Sequence, residues 1–164
     1  NGTWKKVVYG TTVKPDKYDS ALLYGLEAGK YRLALKTPKD QIINVEYTRD
    51  KSKKKAAYKK SKAINLKSDI DSIYTSTEKA ARWYKASVSS TKKRKAVTLS
   101  KDSVGGGFKF CVYQKGKRLK TVKVTKNDKV KTVKLPKKKG AYYVKVTKLT
   151  SKTTGAYYLG TYTY

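Results

Sequence analysis

Apolar and polar residues alternate along most of the chain, which predicts strands rather than helices. The alternation is clearest in the stretch 135–158, where Gly140 and Gly155 each precede a run with apolar residues at every second position. Glycine tolerates the positive φ of a tight turn, and side chains two residues apart lie on one face of a strand. We expect a β-hairpin here, with Lys145 facing away from the core. The side chains predicted to be buried are Tyr142, Val144, Val146, Tyr157 and Leu159.

Similar short runs recur at a spacing of about ten residues, which is typical of β-sandwiches and barrels. Ile64 and Leu66 fit an edge strand, residues 114–117 and 126–129 fit turns, residues 102–107 predict a flexible loop, and residues 77–82 tolerate a helix. The fold class predicted is all-β: an antiparallel β-sandwich with jelly-roll or Greek-key connections.

One strand of this sandwich is predicted to bury Phe108, Phe110 and Val112 on its inner face. Cys111 lies between them and therefore faces the other way. We interpret Cys111 as a small buried residue covered by the N-terminal segment; a reactive or intermolecular thiol is the alternative.

The chain divides into three parts by composition. Residues 1–50 contain a fainter copy of the closing stretch, because Tyr31, Leu33 and Leu35 follow Gly29 at the same spacing. About 50 residues rarely hold a core of their own, so we expect this partial β repeat to pack on the main domain. Residues 51–62 form a Lys-rich connection, and residues 63–164 form the main sandwich.

Positive charge dominates the composition, with 41 Lys and Arg against 11 Asp and Glu and a net charge of +30. One interpretation is attraction to a polyanion such as nucleic acid, an anionic wall polymer or an acidic glycan. The other is that Lys occupies outward strand positions and keeps the sheet edges soluble. The chain also has 15 Tyr, and we expect their rings to enlarge the core while their hydroxyls reach the surface.

Catalytic chemistry is poorly represented. The chain has no His and one Cys, which removes the usual general base, intrachain disulfides and a cysteine zinc site. Asp69, Asp71 and Glu78 form a loose acidic cluster that we interpret as a capped turn rather than a calcium site. Gly105–Gly107 lacks the Lys-Ser/Thr of a phosphate loop. We therefore predict no enzyme activity, no metal and no cofactor.

The order of five segments in the C-terminal part of the chain is a further signal. These segments are Trp83–Val88, Ala96–Leu99, Phe108–Lys117, Leu135–Val146 and Gly155–Leu159. In this order residues 66–164 resemble the bacterial pre-peptidase C-terminal domain. The resemblance implies a jelly-roll-like β-sandwich that accompanies a secreted hydrolase or surface protein and is not itself the catalyst.

The function predicted is that of a non-catalytic secreted or cell-surface accessory module of a Gram-positive-like bacterium. It would bind an anionic wall polymer, a glycan or an extracellular matrix protein. Alternatives are a non-specific nucleic-acid-binding protein and a purely structural spacer or adhesin domain. No apolar run approaches the roughly 20 residues that span a membrane, and the start at Asn1 leads us to expect a processed chain.

The candidate ligand site combines two tyrosines and a lysine. If Tyr142 and Tyr157 point inward, Tyr143 and Tyr158 point outward on neighbouring strands, and Lys145 shares their face. Aromatic rings beside cations can stack on sugars or bases. The alternative is a cross-strand aromatic pair covered by the N-terminal partial repeat.

Overall fold

The computed structural model describes residues 30, 32, 34, 56–66, 70–74, 80–125, 127–151 and 153–164. Most of the predicted partial repeat at 1–50 lies outside the described residues, as do Asp69, Glu78 and the start of the helix-tolerant segment 77–82. That segment ends in a strand, because Arg82 begins β3.

Nine strands and one turn of 3-10 helix, Lys60–Lys62, make up the secondary structure of the described residues. The strands are β1 (Ile64–Asn65), β2 (Ile70–Tyr74), β3 (Arg82–Val88), β4 (Lys95–Gly105), β5 (Phe108–Gln114), β6 (Lys117–Val124), β7 (Val130–Lys134), β8 (Gly140–Lys148) and β9 (Thr154–Thr163).

The strands form two sheets, a five-stranded one in the order β1-β3-β8-β5-β6 and a four-stranded one in the order β2-β9-β4-β7. Every neighbouring pair is antiparallel except β1 with β3. Among the described strands, β5 and β6 are joined within one sheet, and the other successive strands change sheet. This confirms the antiparallel β-sandwich with crossing connections. The predicted hairpin at 135–158 is wrong, because β8 and β9 belong to different sheets.

The inner faces of the two sheets form one apolar core. On β3 and β8 burial alternates residue by residue, as a strand with one covered face requires. The five side chains predicted to be buried in the closing stretch are fully buried, and so are Phe108, Phe110 and Val112. Ile64 and Leu66 lie at the sheet edge as predicted, with Leu66 buried.

The hydroxyls of two core tyrosines do not reach the surface, contrary to the prediction from the sequence. Tyr84 on β3 and Tyr157 on β9 are fully buried, and their hydroxyl oxygens lie 2.5 Å apart, joining the two sheets by a hydrogen bond. The ring of Tyr157 also lies 5.0 Å from that of Phe108. The prediction that tyrosine hydroxyls reach the surface is wrong for this pair, because each hydroxyl satisfies the other inside the core.

The β5–β6 turn follows its residue types closely. Lys115 and Gly116 both have positive φ, 46° and 82°, which is the geometry of a two-residue type I′ hairpin. The predicted turn at residues 114–117 is therefore confirmed, and so is the turn that links β6 to β7, where the Thr125 backbone N–H donates to the carboxylate of Asp128.

The predicted loop at 102–107 is mostly strand. β4 continues through Gly105, which pairs with Thr154 after a break in register that begins at Asp102. The turn itself is confined to Gly106 and Gly107. A Cβ on Gly107 would lie 2.1 Å from the carbonyl oxygen of Val124, so close packing of backbones requires glycine there.

Candidate ligand-binding surfaces

The three predicted site residues do not share a surface. Tyr143 and Lys145 lie on β8, on the outer face of the five-stranded sheet, whereas Tyr158 lies on β9, on the outer face of the four-stranded sheet. The two outer faces look in opposite directions across the core. The expectation that Tyr143 and Tyr158 lie on neighbouring strands is wrong, since the connection after β8 crosses to the other sheet.

Tyr143 and Lys145 belong to an aromatic face formed with residues that the sequence reasoning did not select. Trp83 on β3 and Tyr113 on β5 flank β8, and their ring centroids lie 5.6 Å apart. The Lys145 Nζ lies 5.5 Å from the Trp83 ring centroid, and the Lys60 Nζ lies 4.7 Å from that of Tyr143. Both are within cation–π range. These five residues are half-buried. The three aromatic rings among them already contact a lysine or another ring.

Cys111 lies on the same outer face, opposite Lys145 on β8 and Thr121 on β6. Cys111 is buried as predicted, with its Sγ 3.4 Å from the Thr121 Oγ1. Most of the N-terminal segment, its predicted cover, lies outside the described residues. Burial raises the pKa of the nearby Tyr113 hydroxyl, and Cys111 adds to that rise while Arg118 opposes it.

The outer face of the four-stranded sheet carries an exposed tyrosine strip near the C-terminus. Tyr158, Tyr162 and Tyr164 are 40%, 46% and 46% exposed. The Tyr162 and Tyr164 rings lie 5.6 Å apart, and the Lys134 Nζ lies 5.4 Å from the Tyr164 centroid. These tyrosines are separated by four and by two residues, which places them on one face of a strand. This period-2 signal could have identified the strip from the sequence.

Lysine and arginine collect at one end of the sandwich, which we call the basic end. The end of β3 meets the start of β8 where Val88 pairs with Gly140, and the end of β5 reaches the same level where Gln114 pairs with Tyr142. Three connections, β3–β4, β5–β6 and β7–β8, therefore lie at this end. Their exposed cations are Lys92, Lys93, Arg94, Lys115, Lys117, Arg118, Lys137, Lys138 and Lys139.

No acidic residue lies in the three segments that form the basic end, residues 89–95, 114–118 and 135–140. The cations therefore have no acidic partner within these segments, and their potentials add. At the opposite end the exposed Lys131 is paired with Asp128 at 2.7 Å. The sequence reasoning missed the basic end, because the three clusters are about twenty residues apart in the chain and the sheet topology brings them together.

Hydrogen bonds hold the loops of the basic end in place. The Tyr142 hydroxyl donates to the backbone carbonyl of Lys138 at 2.8 Å, and the Lys138 N–H donates to the Pro136 carbonyl at 2.7 Å. Arg94 and Tyr164 exchange two backbone hydrogen bonds, 2.9 and 3.0 Å long. Burial raises the pKa of the Tyr142 hydroxyl, with the nearby Gln114 side chain acting in the opposite direction. The cations are thus presented on backbone that is already ordered.

The described residues offer neither a metal-binding cluster nor a membrane-spanning helix. Within the described ranges no three His, Cys, Asp or Glu side chains come close enough together to hold a metal ion. No helix in the described residues is long and apolar enough to cross a membrane.

No family model matches the chain, and no curated protein matches it. A solved structure that is similar to it is the pre-peptidase C-terminal domain of a collagenase from Bacillus anthracis, with 17% sequence identity and a TM-score of 0.47. The similarity covers 61% of this chain and 92% of that domain. That domain bears the name of the family suggested by the sequence pattern of residues 66–164; the family assignment and the partial repeat at residues 1–50 both stay predictions.

Proposed function

We propose that this chain is a non-catalytic accessory module of a secreted or cell-surface protein, and that it binds an anionic polymer through its basic end. The observation that carries the proposal is the convergence of nine exposed cations and no acid on three loops at one end of the sandwich. An anionic wall polymer or an acidic glycan has the matching chemistry.

Many weak contacts would supply the affinity. Two unit charges about 4 Å apart interact by only about 1 kcal/mol in water. One exposed lysine therefore contributes little binding free energy. Several lysines facing a chain of fixed negative charges act together, because each contact that forms keeps the next charge close. The loops are ordered by the hydrogen bonds of Tyr142 and Arg94, so less conformational entropy is lost on binding.

The residue types favour recognition of charge rather than of a base sequence. Seven of the nine cations are Lys and two are Arg. Lysine acts as a hydrated point charge, whereas arginine supplies the planar fork used for bidentate readout of guanine. Binding is therefore expected to depend on the charge density of the polymer and on salt.

A second candidate is single-stranded nucleic acid, favoured by one observation. Tyr162 and Tyr164 are exposed, and Tyr164 is joined by backbone hydrogen bonds to Arg94 of the basic end. Exposed rings beside a basic track can stack on bases. A role as a structural spacer, with charge serving solubility, is the third reading and requires no ligand.

Retention on immobilised wall polymer and on an acidic glycan tests the proposal. Retention should fall steeply between low and physiological salt, because the Debye length shortens. Lys137→Gln with Lys139→Gln should elute at lower salt than the parent. Lys123→Gln with Lys129→Gln is the matched control, since it removes two exposed lysines elsewhere and should elute close to the parent.

The outcomes separate the candidates. Salt-indifferent retention, or equal losses in both double variants, would overturn the basic end as the binding site. Displacement by single-stranded DNA at much lower concentration than by the polymer, with a loss on Tyr162→Ala, would favour the nucleic-acid candidate. If the chain is not retained on any anionic matrix at low salt, the role of a structural spacer is favoured.

A further inference from the structure

A cleft of about 320 Å³ opens between β6 and β7. Each of these strands has a paired neighbour on one side among the described residues, β5 for β6 and β4 for β7. They lie at the edges of the two different sheets, and no described strand bridges them. The residues around the cleft include Val112, Leu119, Lys120, Val133, Leu135 and Pro136.

The floor of the cleft is apolar. Val112, Val133 and Leu135 belong to the main core and are 0%, 7% and 4% exposed. Leu119 stands at the rim and is 42% exposed, an exposed large apolar side chain directly beside buried ones. A ligand that covered Leu119 and reached this floor would remove apolar surface from water, which is favourable in proportion to the area.

The mouth of the cleft is positively charged. Lys120 pairs with the inward-facing Val112, so its side chain leaves β6 on the side of the cleft, and it is exposed. Lys134 borders the cleft on β7, but its Nζ lies 5.4 Å from the Tyr164 ring centroid on the outer face, so Lys120 supplies the positive charge of the mouth. No acidic residue is among the described residues that line the cleft. An apolar floor under a cationic mouth is complementary to a molecule with an apolar tail and an anionic head.

We infer that this cleft binds a small amphiphilic anion, namely a carboxylate that carries a short aliphatic chain. The volume of the cleft lies at the lower end of the range for small-molecule pockets, about 300–1,000 Å³. An extended peptide added to β7 fits less well. β7 has five residues, and Lys120 and Lys131 occupy inward positions of the two edge strands, a placement that opposes further strand pairing.

This site goes beyond the proposed polymer binding and does not depend on it. Leu119 contributes no charge, so Leu119→Ser should weaken the amphiphile without changing retention on an anionic polymer. Lys137→Gln with Lys139→Gln should do the reverse, since neither lysine lines the cleft.

Titration of the isotope-labelled chain with octanoate, followed by nuclear magnetic resonance, tests the inference. Saturable shifts are expected at the amides of Val112, Leu119, Val133 and Leu135. Acetate, which has the head without the tail, and octylamine, which has the tail with the opposite charge, should shift these amides far less. Leu119→Ser and Lys120→Ala should each weaken octanoate about tenfold, while Lys123→Ala should not.

Three results would overturn the inference. Octylamine binding as tightly as octanoate would show an apolar cleft without anion preference. Shifts with acetate equal to those with octanoate would show a non-specific effect of charge. Binding of an acidic extended peptide in the absence of saturable octanoate binding would assign the edge to strand addition instead.

Discussion

The hydroxyl pair of Tyr84 and Tyr157 makes a sharp prediction about stability. Both side chains are fully buried, and their rings meet edge to face at 6.4 Å and 87°. Tyr157→Phe keeps the ring and removes one hydroxyl, which leaves the Tyr84 hydroxyl buried without this partner. Such a loss costs about 1–3 kcal/mol of unfolding free energy. For a chain of this size each kcal/mol lowers the melting temperature by about 2–4 °C.

A double-mutant cycle isolates the interaction between the two hydroxyls. Tyr84→Phe should cost a similar amount, but the double variant should cost clearly less than the sum, because the hydrogen bond that each single substitution removes can be lost only once. The coupling should be about 1 kcal/mol or more. Urea unfolding with an unchanged slope is the assay. Tyr162→Phe, at an exposed ring, is the control and should change stability by less than about 0.5 kcal/mol. Additive costs would refute the cross-sheet bond.

Three further predictions concern turns. Tyr142→Phe should cost about 1 kcal/mol and speed hydrogen exchange in the β7–β8 loop; unchanged exchange would contradict the anchoring role. Gly116→Ala forces a side chain onto a φ of 82° and should cost about 1–2 kcal/mol by urea unfolding, with Gly116→Asn costing less. Hydrogen bonds from Lys131 and Thr125 hold the pKa of Asp128 well below its usual 3.8. The contribution of ionised Asp128 to the free energy of unfolding is therefore fully present above pH 3.8 and is lost as the pH falls through the lowered pKa. An Asp128 carboxyl that titrates near 3.8 by nuclear magnetic resonance would contradict this prediction.

Strand positions and inward faces were predictable from the sequence because they are local properties. The spacing of two that connects Tyr142, Val144 and Val146 is enough to place them on one face. The positive φ of Gly116 likewise follows from a two-residue turn between alternating runs. These features need no knowledge of which strand lies beside which.

Sheet membership could not be predicted in the same way, because it depends on contacts between distant segments. β8 and β9 are consecutive and similar in sequence, yet they join different sheets. That single fact separates Tyr158 from Tyr143 and turns a predicted ligand face into two surfaces. It also brings the hydroxyls of Tyr84 and Tyr157 together, although 73 positions separate them in the chain.

The charge distribution shows the same division between local and non-local information. Lysine alternates with apolar residues along β6 and β7 in the sequence. This pattern favours the interpretation that lysine protects the sheet edges. Lys120 departs from that interpretation in its direction, because it takes an inward position on the edge strand β6, although this placement also opposes further strand pairing. The basic end is a different feature, because it needs the turns before Lys95, Lys117 and Gly140 to lie at one end of the sandwich.

The central claim is that the basic end binds an anionic polymer, and chemical-shift mapping tests it most directly. A short anionic oligosaccharide is titrated into the isotope-labelled chain at low and at physiological salt. The claim predicts that the shifts concentrate in residues 92–94, 115–118 and 136–139 and shrink together as salt rises. Shifts spread evenly over both sheets, or confined to the aromatic face around Trp83, would contradict it.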